Sequence, residues 1–294
     1  MRKLIIGTLL LLLPIICFGQ LVKTSMTYAQ PVAEAGFTPR SDHYAAILAA
    51  MTTDPTGDTL TWQDDLIFSL DSAAVGFWDR IDILYITAQR NTQGANLNWI
   101  NPAAFTLTDP GATTPAFVPY QGYTGDGSTD YLLTNYSLLT DAINVGQDDF
   151  TVGIYNRAQV SSSGYVFGVS DATNYITARV LAATLRYYLS QGTAEDESGY
   201  FENADGFHLL RRSAAEVTES YYNGTTSGDG VVASGTRPVY DITLLARNTV
   251  TTPDSFGTWQ ISVFLIMDAI TDAEAAILST IINKYMTRIG TNVY

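Results

Sequence analysis

The sequence predicts a mainly β protein: an antiparallel β-sandwich with two short N-terminal helices and one C-terminal helix. From residue 81 onward, short runs of β-branched and aromatic residues alternate with turn-forming Gly, Asp, Asn, Ser and Thr. The connections between these runs are too short for the crossover helices that a parallel sheet requires. Helical periodicity is confined to the segments before residue 81 and after residue 270.

The first 40 residues predict a signal peptide and a flexible leader. Two basic residues precede an apolar run at 4–18 that is shorter than a membrane span. We predict a signal peptide at 1–19 and a flexible leader at 20–40, so the mature protein is secreted or on the cell surface, without membrane insertion. Cleavage removes Cys17, the single cysteine, so the mature chain has no disulfide. A lipid anchor on Cys17 is disfavoured, because the residue before it is not small.

The charge balance excludes one class of partner. Lys and Arg number 15 against 29 Asp and Glu, which gives a formal net charge of -14. Such a charge repels the phosphates of nucleic acids, so we predict no nucleic-acid partner.

A helical N-terminal segment is predicted at 41–80. The first helix is capped by Ser41 and ends before Asp54-Pro55. The second is predicted to begin near Thr61, with Asp64 as its capping partner. Both are amphipathic and short, so we expect them to pack on a neighbouring sheet.

The sandwich is predicted to occupy 81–294 and to end with a helix. Candidate strands lie at 81–86, 131–134, 150–156, 165–169, 175–180, 185–189, 207–211, 217–222, 242–246 and 257–264. Hairpin turns are expected at 170–174 and at Asn223-Gly224. Thr271 and Glu274 predict a capping box for the last helix, and Gly290 its end.

Four segments in order carry a family resemblance. Residues 122–134 (GYTGDGSTDYLLT), 148–158, 207–225 and 242–248 resemble successive strands of concanavalin A-like (laminin-G-like) jelly-roll domains. The resemblance implies a jelly-roll sandwich from about residue 81 to 290. Many domains of this fold bind calcium.

The segment 78–131 also resembles a version of this fold found in proteins of bacterial viruses and bacterial genomes, with its IDILYI strand and NWINP turn. That resemblance implies a structural or receptor-binding role. A signal peptide is unusual in a virion component, so a bacterial surface or secreted protein is the more natural context.

Catalytic machinery is not recognisable. The two histidines, His43 and His208, lie outside any nucleophile motif, and they are too few for a histidine-rich zinc site. The acidic cluster 195–197 with Glu202 comes nearest to a glycosidase carboxylate pair, but turn formers surround it. We therefore predict that the chain is not an enzyme.

Two kinds of binding site are predicted. Calcium is the candidate cofactor, although none is required, and its ligands would be the loop oxygens of two pairs: Asp126 with Asp130, and Asp171 with Asn174.

Adjacent tyrosines are the candidate ligand-binding residues. In the pairs Tyr187-Tyr188 and Tyr221-Tyr222, one ring must lie on each face of the strand, and an outward ring can stack on a sugar. The predicted function is a non-catalytic exported binding or structural module that recognises a glycan or a cell-surface protein. The alternatives are a bacteriophage virion or tail protein, and a secreted polysaccharide-degrading enzyme on the same fold.

Overall fold

A computed structural model describes residues 37–157, 164–171, 173–181, 184–191, 199–201, 205–249 and 252–293. The predicted signal peptide and the leader up to residue 36 lie outside the described residues. In the described part of the chain, no helix has the length and apolar character needed to cross a membrane.

The elements are mostly short strands. The helices are α1 (Asp42–Ala50), α2 (Asp58–Ser72), α3 (Thr92–Asn96) and α4 (Asp272–Arg288), and a 3-10 turn occupies Trp78–Arg80. The strands are β1 (Ile81–Ile86), β2 (Ala116–Val118), β3 (Gly122–Thr124), β4 (Leu132–Leu133), β5 (Phe150–Asn156), β6 (Gly164–Ser170), β7 (Tyr175–Leu181), β8 (Thr184–Gln191), β9 (Gly199–Phe201), β10 (Gly206–Ala214), β11 (Val217–Tyr222), β12 (Thr225–Gly230), β13 (Thr243–Leu244) and β14 (Gln260–Met267).

Two antiparallel sheets confirm the predicted fold class. The eight-stranded sheet has the order β12-β11-β10-β5-β14-β3-β2, and β1 also pairs with β14. The six-stranded sheet has the order β4-β13-β6-β7-β8-β9. One edge of β14 is therefore shared, because β3 pairs with its first residues and β1 with the rest.

The central strands of the eight-stranded sheet are buried on both faces. On β14, Phe264 and Ile266 point into the core between the sheets. Val263, Leu265 and Met267 on the same strand pack in a second core with residues of α1, α2 and α4. Full burial of such a side chain stabilises the fold by ~1.5–3 kcal/mol relative to exposure. The molecule thus has three layers: helices, eight-stranded sheet and six-stranded sheet.

In the helical segment, the first helix has the predicted N-terminal cap, whereas the second begins at a different residue from the one predicted. The Ser41 hydroxyl accepts a hydrogen bond from the Tyr44 amide at 3.3 Å, as its capping role requires. The start predicted for α2 is wrong: the helix begins at Asp58, after Gly57 at φ +59°. Asp64 is inside the helix, and its carboxylate accepts a hydrogen bond from the Arg40 amide.

The C-terminal helix has the predicted capping box. The Thr271 hydroxyl and the Glu274 carboxylate each accept a hydrogen bond from the other residue's backbone amide. Arg80 binds this end of α4 to the start of β1, because its guanidinium donates to Glu274 at 2.6 Å and to Asp268 at 2.9 Å.

The strand predictions fail where the chain turns abruptly. The strands predicted at 131–134 and 242–246 are reduced to two residues each, since Asn135 and Leu245 follow them with positive φ. The strand predicted at 257–264 begins only at Gln260. Strands β2, β3, β9 and β12 were not predicted. In β12 (TTSGDG) no apolar residue alternates with the polar ones.

The predicted turn at Asn223-Gly224 is confirmed. It joins β11 to β12 as a two-residue loop, with φ +51° at Asn223 and +83° at Gly224. Two successive positive φ values characterise the turn that best matches strand twist.

Replacement of Leu265 by alanine tests the two-sided burial of β14. The side chain is fully buried against the helices, so Leu265→Ala should lower the free energy of unfolding by ~2–5 kcal/mol. The matched control is Leu139→Ala, because Leu139 is 46% exposed, and a loss under ~0.5 kcal/mol is expected there. Urea unfolding measures both, and equal losses would contradict the layer assignment.

Candidate functional site

The outer face of the six-stranded sheet is the surface that the described helices leave uncovered. The apolar contacts of α1, α2 and α4 go to the eight-stranded sheet. Phe167 on β6, Ile176 and Ala178 on β7, and Tyr187 and Leu189 on β8 point into the core between the sheets. Strand alternation therefore directs their neighbours to the outside.

These neighbours form a cluster of arginines and tyrosines. The cluster, called here the arginine–tyrosine face, consists of Tyr165, Tyr175, Thr177, Arg179, Arg186, Tyr188, Arg247 and Asp254. Strand pairing sets the order: Arg179 on β7 lies opposite Tyr165 on β6 and Arg186 on β8, and Thr177 lies opposite Tyr188. Three adjacent strands thus present one continuous row of guanidinium and phenol groups.

Arg247 enters this face from the segment that follows β13. Its guanidinium donates two hydrogen bonds to Asp254, at 2.9 and 2.7 Å, and one to the Tyr165 hydroxyl at 3.3 Å. It lies 5.0 Å from the centre of the Tyr165 ring and 6.0 Å from that of Tyr175, within cation–π range. Burial alone would lower the pKa of Arg247, but the hydrogen bonds and charge of Asp254 outweigh it and raise that pKa.

The close approach of Arg247 depends on Gly168. A Cβ at this position would lie 2.9 Å from Thr177 Cγ2 and 3.2 Å from Arg247 Cβ. Real Cβ contacts are rarely so short, so the glycine makes room for Arg247 above β6.

Arg179 and Tyr188 form a second unit of the face. Arg179 Nη2 donates to the Tyr188 hydroxyl at 2.8 Å, and the guanidinium lies 5.2 Å from the centre of the ring. Two polar atoms here, Arg179 Nε and Thr177 Oγ1, are buried without a hydrogen-bond partner. A polar group left in this state costs ~1–3 kcal/mol.

The face is only partly open to solvent. Tyr165 and Tyr188 are 5% and 2% exposed, whereas Tyr175, Arg179 and Arg186 are half-buried. Burial raises the pKa of the Tyr165 hydroxyl, and the nearby charges of Arg247 and Arg179 reduce that rise. A ligand would therefore meet the ring of Tyr175 and the two half-buried guanidinium groups first.

The four tyrosines predicted from the sequence lie in different layers. Tyr187 points into the core between the sheets, and Tyr221 into the helix layer, where its hydroxyl donates to Asp272 at 2.7 Å. Tyr222 is half-buried, with its ring 5.3 Å from that of His208. Only Tyr188 belongs to the arginine–tyrosine face. The expectation of an exposed ring in the Tyr187-Tyr188 pair is wrong, because both rings are buried.

The residues that the sequence analysis missed are Tyr165, Tyr175 and the arginines. Arg179 and Arg186 occur in two runs already predicted as neighbouring strands. Their pairing across a tight β7–β8 hairpin was the signal that could have brought them together.

The first predicted calcium pair uses its oxygens within its own loop. The Asp126 carboxylate accepts hydrogen bonds from the amides of Ser128, Thr129 and Asp130 at 2.8 to 2.9 Å. Asp130 accepts a hydrogen bond from the Thr113 hydroxyl.

The second predicted pair is arranged in the same way. The Asp171 carboxylate accepts hydrogen bonds from the amides of Thr173 and Asn174 and from the Asn174 side chain. Within the described ranges, no group of three or more His, Cys, Asp or Glu side chains is placed to hold a metal. Calcium binding at these positions stays a prediction.

The remaining catalytic candidates are separated from this face. His43 on α1 stacks on Trp78, with ring centres 4.7 Å apart, and His208 is buried in β10. The acidic residues 195–197 and Glu202 lie outside the described residues.

Comparisons with known proteins identify the fold at low sequence identity. No known family and no curated protein matches the sequence. The binding domain of botulinum neurotoxin DC in complex with rat synaptotagmin II is similar, with a TM-score of 0.50, 13% identity, and coverage of 69% of this chain and 52% of that chain. For the botulinum neurotoxin serotype D binding domain the TM-score is 0.49 and the identity 11%, over 71% of this chain and 52% of that chain. The chain thus spans about half the length of these structures. At such identity the likeness shows the β-sandwich fold alone.

Gly168→Ala tests the placement of Arg247. The added methyl group would collide with Thr177 and Arg247, so we expect a loss of ~1–3 kcal/mol in the free energy of unfolding. Gly228→Ala in β12 is the control, since its Cβ would meet only Ser220 Oγ at 3.5 Å. Urea unfolding distinguishes the two, and a Gly168→Ala variant as stable as the control would contradict the close approach.

Asp126→Asn tests the loop hydrogen bonds through pH. Burial slightly raises the pKa of Asp126, but hydrogen bonds from Ser128, Thr129 and Asp130 outweigh it and hold that pKa below its usual value. The stabilisation is therefore complete above the unfolded-state pKa of about 3.9 and is lost as pH falls through the lower folded-state value.

The wild type should exceed Asp126→Asn in stability at pH 6 by under ~1 kcal/mol, because the site is exposed and screened. This difference should shrink toward pH 2. Asp79→Asn is the control, as the exposed Asp79 carboxylate makes no hydrogen bond to a described residue. A pH-independent gap between wild type and Asp126→Asn would exclude the carboxylate's charge as the cause.

Proposed function

We propose that this chain is a non-catalytic binding module that recognises a glycan on a cell surface through the arginine–tyrosine face. The observation that carries the proposal is the convergence of phenol rings and arginine donors on three adjacent strands, on a sheet face that no described helix covers. Sugar recognition combines a flat aromatic surface with polar groups that fix the hydroxyls.

The dimensions of the face suit a short chain of sugars. Tyr175 and Arg179 are four residues apart on β7, which separates them by ~13 Å at ~3.3 Å per residue. The half-buried Tyr175 ring stands at one end and the Arg179–Arg186 pair at the other, with Thr177 and Tyr188 between them. A ligand along β7 would contact the ring and the donors together.

The described carboxylates favour binding over hydrolysis. Glycoside hydrolysis needs two carboxyl groups facing each other across the sugar. On the described part of the arginine–tyrosine face the carboxylate is Asp254, and both of its oxygens accept hydrogen bonds from Arg247. In this arrangement the Asp254 carboxylate orients the Arg247 guanidinium.

The finer assignments form part of the same proposal. A concanavalin A-like jelly roll accounts for the two antiparallel sheets and for the order of the four resembling segments. Export by the signal peptide at 1–19 would bring the face to the cell exterior, where glycans occur. A calcium ion bound there would stabilise the two loops, since Asp126 and Asp171 lie in turns.

Replacement of Tyr175 by alanine tests the proposal. The purified chain is screened on a glycan array, and the sugars that bind are measured by calorimetry. Tyr175→Ala should weaken binding about tenfold, since the ring supplies the stacking surface. The control is Tyr120→Ala, which removes a half-buried tyrosine from the loop between β2 and β3 on the other sheet. The proposal would be overturned if no sugar on the array bound, or if both variants lost the same affinity.

A further inference from the structure

Three apolar side chains are exposed at one end of the sandwich, in the loop between β4 and β5 and in the segment before β13. Leu139 is 46% exposed, Ile143 86% and Val239 47%. The two segments are in contact, because the Ser137 hydroxyl donates to the Val239 carbonyl at 3.0 Å and accepts from the Leu139 amide at 3.3 Å. Both segments lie wholly within the described residues. We call these three apolar residues the apolar tip.

The loop that carries Ile143 is fixed on its inner side. Asp82, a buried residue of β1, accepts hydrogen bonds from the amides of Ile143 and Asn144 at 3.0 and 2.9 Å. The same carboxylate accepts a hydrogen bond from the Tyr136 hydroxyl at 2.8 Å. Val145, two residues beyond Ile143, packs in the core between the sheets. The exposed isoleucine thus extends from a backbone that is already anchored, which reduces the entropy lost when a partner binds.

Carboxylates flank the apolar tip. Asp79 lies beside the loop, because its carbonyl accepts a hydrogen bond from the Asn144 side chain at 3.0 Å. Asp141 and Asp241 bring two further negative charges close together. Burial raises the pKa of Asp241, and the negative charge of Asp141 raises that pKa further.

The basic residues of these segments do not offset that charge. The Arg80 guanidinium donates to the carboxylates of Asp268 and Glu274. The Arg237 guanidinium donates to a backbone carbonyl of the loop at 2.8 Å. Residues 137–150 contain three aspartates and no Lys or Arg. The surface around the apolar tip is therefore negative.

From this arrangement we infer that the apolar tip docks a basic amphipathic segment of another protein, in which lysine or arginine flanks the apolar side chains. An exposed apolar cluster with a polar rim is the pattern of a protein-interaction surface. The surrounding carboxylates steer a basic partner toward the tip and pair with its cations. The same charge disfavours two other occupants, a second copy of this acidic chain and an anionic membrane. The inference is independent of the proposed glycan site.

Three synthetic peptides test the inference. The first is an amphipathic peptide of leucine and lysine, the second has glutamate in place of every lysine, and the third has serine in place of every leucine. Fluorescence anisotropy measures their binding to the full chain. The leucine–lysine peptide should bind about tenfold more tightly than either of the others. Its affinity should fall as NaCl is added.

Substitutions locate the binding on the tip. Ile143→Ser should weaken binding of the leucine–lysine peptide about tenfold, because it removes the most exposed side chain of the tip. Asp79→Lys should also weaken it, since it reverses a charge beside the loop. The matched control is Val231→Ser, which should leave the affinity unchanged. Val231 is 84% exposed and follows β12, at the edge of the eight-stranded sheet far from β1.

The three substitutions replace exposed side chains, so the melting temperature of each variant should stay close to that of wild type. Ile143→Ser should also leave sugar binding by the arginine–tyrosine face unchanged. The inference and the proposed function can therefore fail separately.

Four results would overturn the inference. The first is that the leucine–lysine peptide does not bind. The second is equal affinity of wild type and Ile143→Ser for this peptide, which would show diffuse attraction to an acidic surface. The third is Ile143-dependent binding to neutral phosphatidylcholine vesicles, which would identify a lipid as the occupant. The fourth is a dimer in analytical ultracentrifugation that Ile143→Ser dissociates, which would identify a second copy of the chain.

Discussion

The rest of the structure depends on strand β14, whose two faces lie in two different cores. Its odd and even positions separate cleanly, with Phe264 and Ile266 between the sheets and Leu265 and Met267 under the helices. Along its edges it pairs with β5 on one side and with β1 and β3 on the other. An isolated sheet or helix layer would leave one of these apolar faces in water, so neither layer is complete without this strand.

The position of the candidate site follows from that constraint. In the eight-stranded sheet, the central strands β1, β5 and β14 use both faces for packing. The six-stranded sheet buries one face against it, and the other face carries Tyr175, Arg179 and Arg186 half-buried at the surface. Helix α4 covers part of the eight-stranded sheet, and its buried residues belong to the second core.

The helices and strands could be predicted from the sequence, but the elements that pack on each of their faces could not. Strands β5 and β11 have the predicted bounds, since apolar and aromatic residues fill them between clear turns. Alternation correctly separated Tyr187 from Tyr188, yet it contains no information on what packs above each ring. The start of α2 was missed because Gly57 takes a conformation that a capping pattern does not indicate. Likewise, the sequence alone did not place Arg179 opposite Arg186, because that pairing depends on the register of the β7–β8 hairpin.

That register is fixed by the core between the sheets. A shift of one residue would move every side chain of β8 to the other face, so burial of Tyr187 and Leu189 in the core fixes Arg186 opposite Arg179. The core therefore determines which residue of β7 lies opposite each residue of β8. The same register places the buried Thr177 hydroxyl, which has no hydrogen-bond partner among the described residues, opposite Tyr188. The side chains of the arginine–tyrosine face thus take their positions from packing on the opposite face of the same strands.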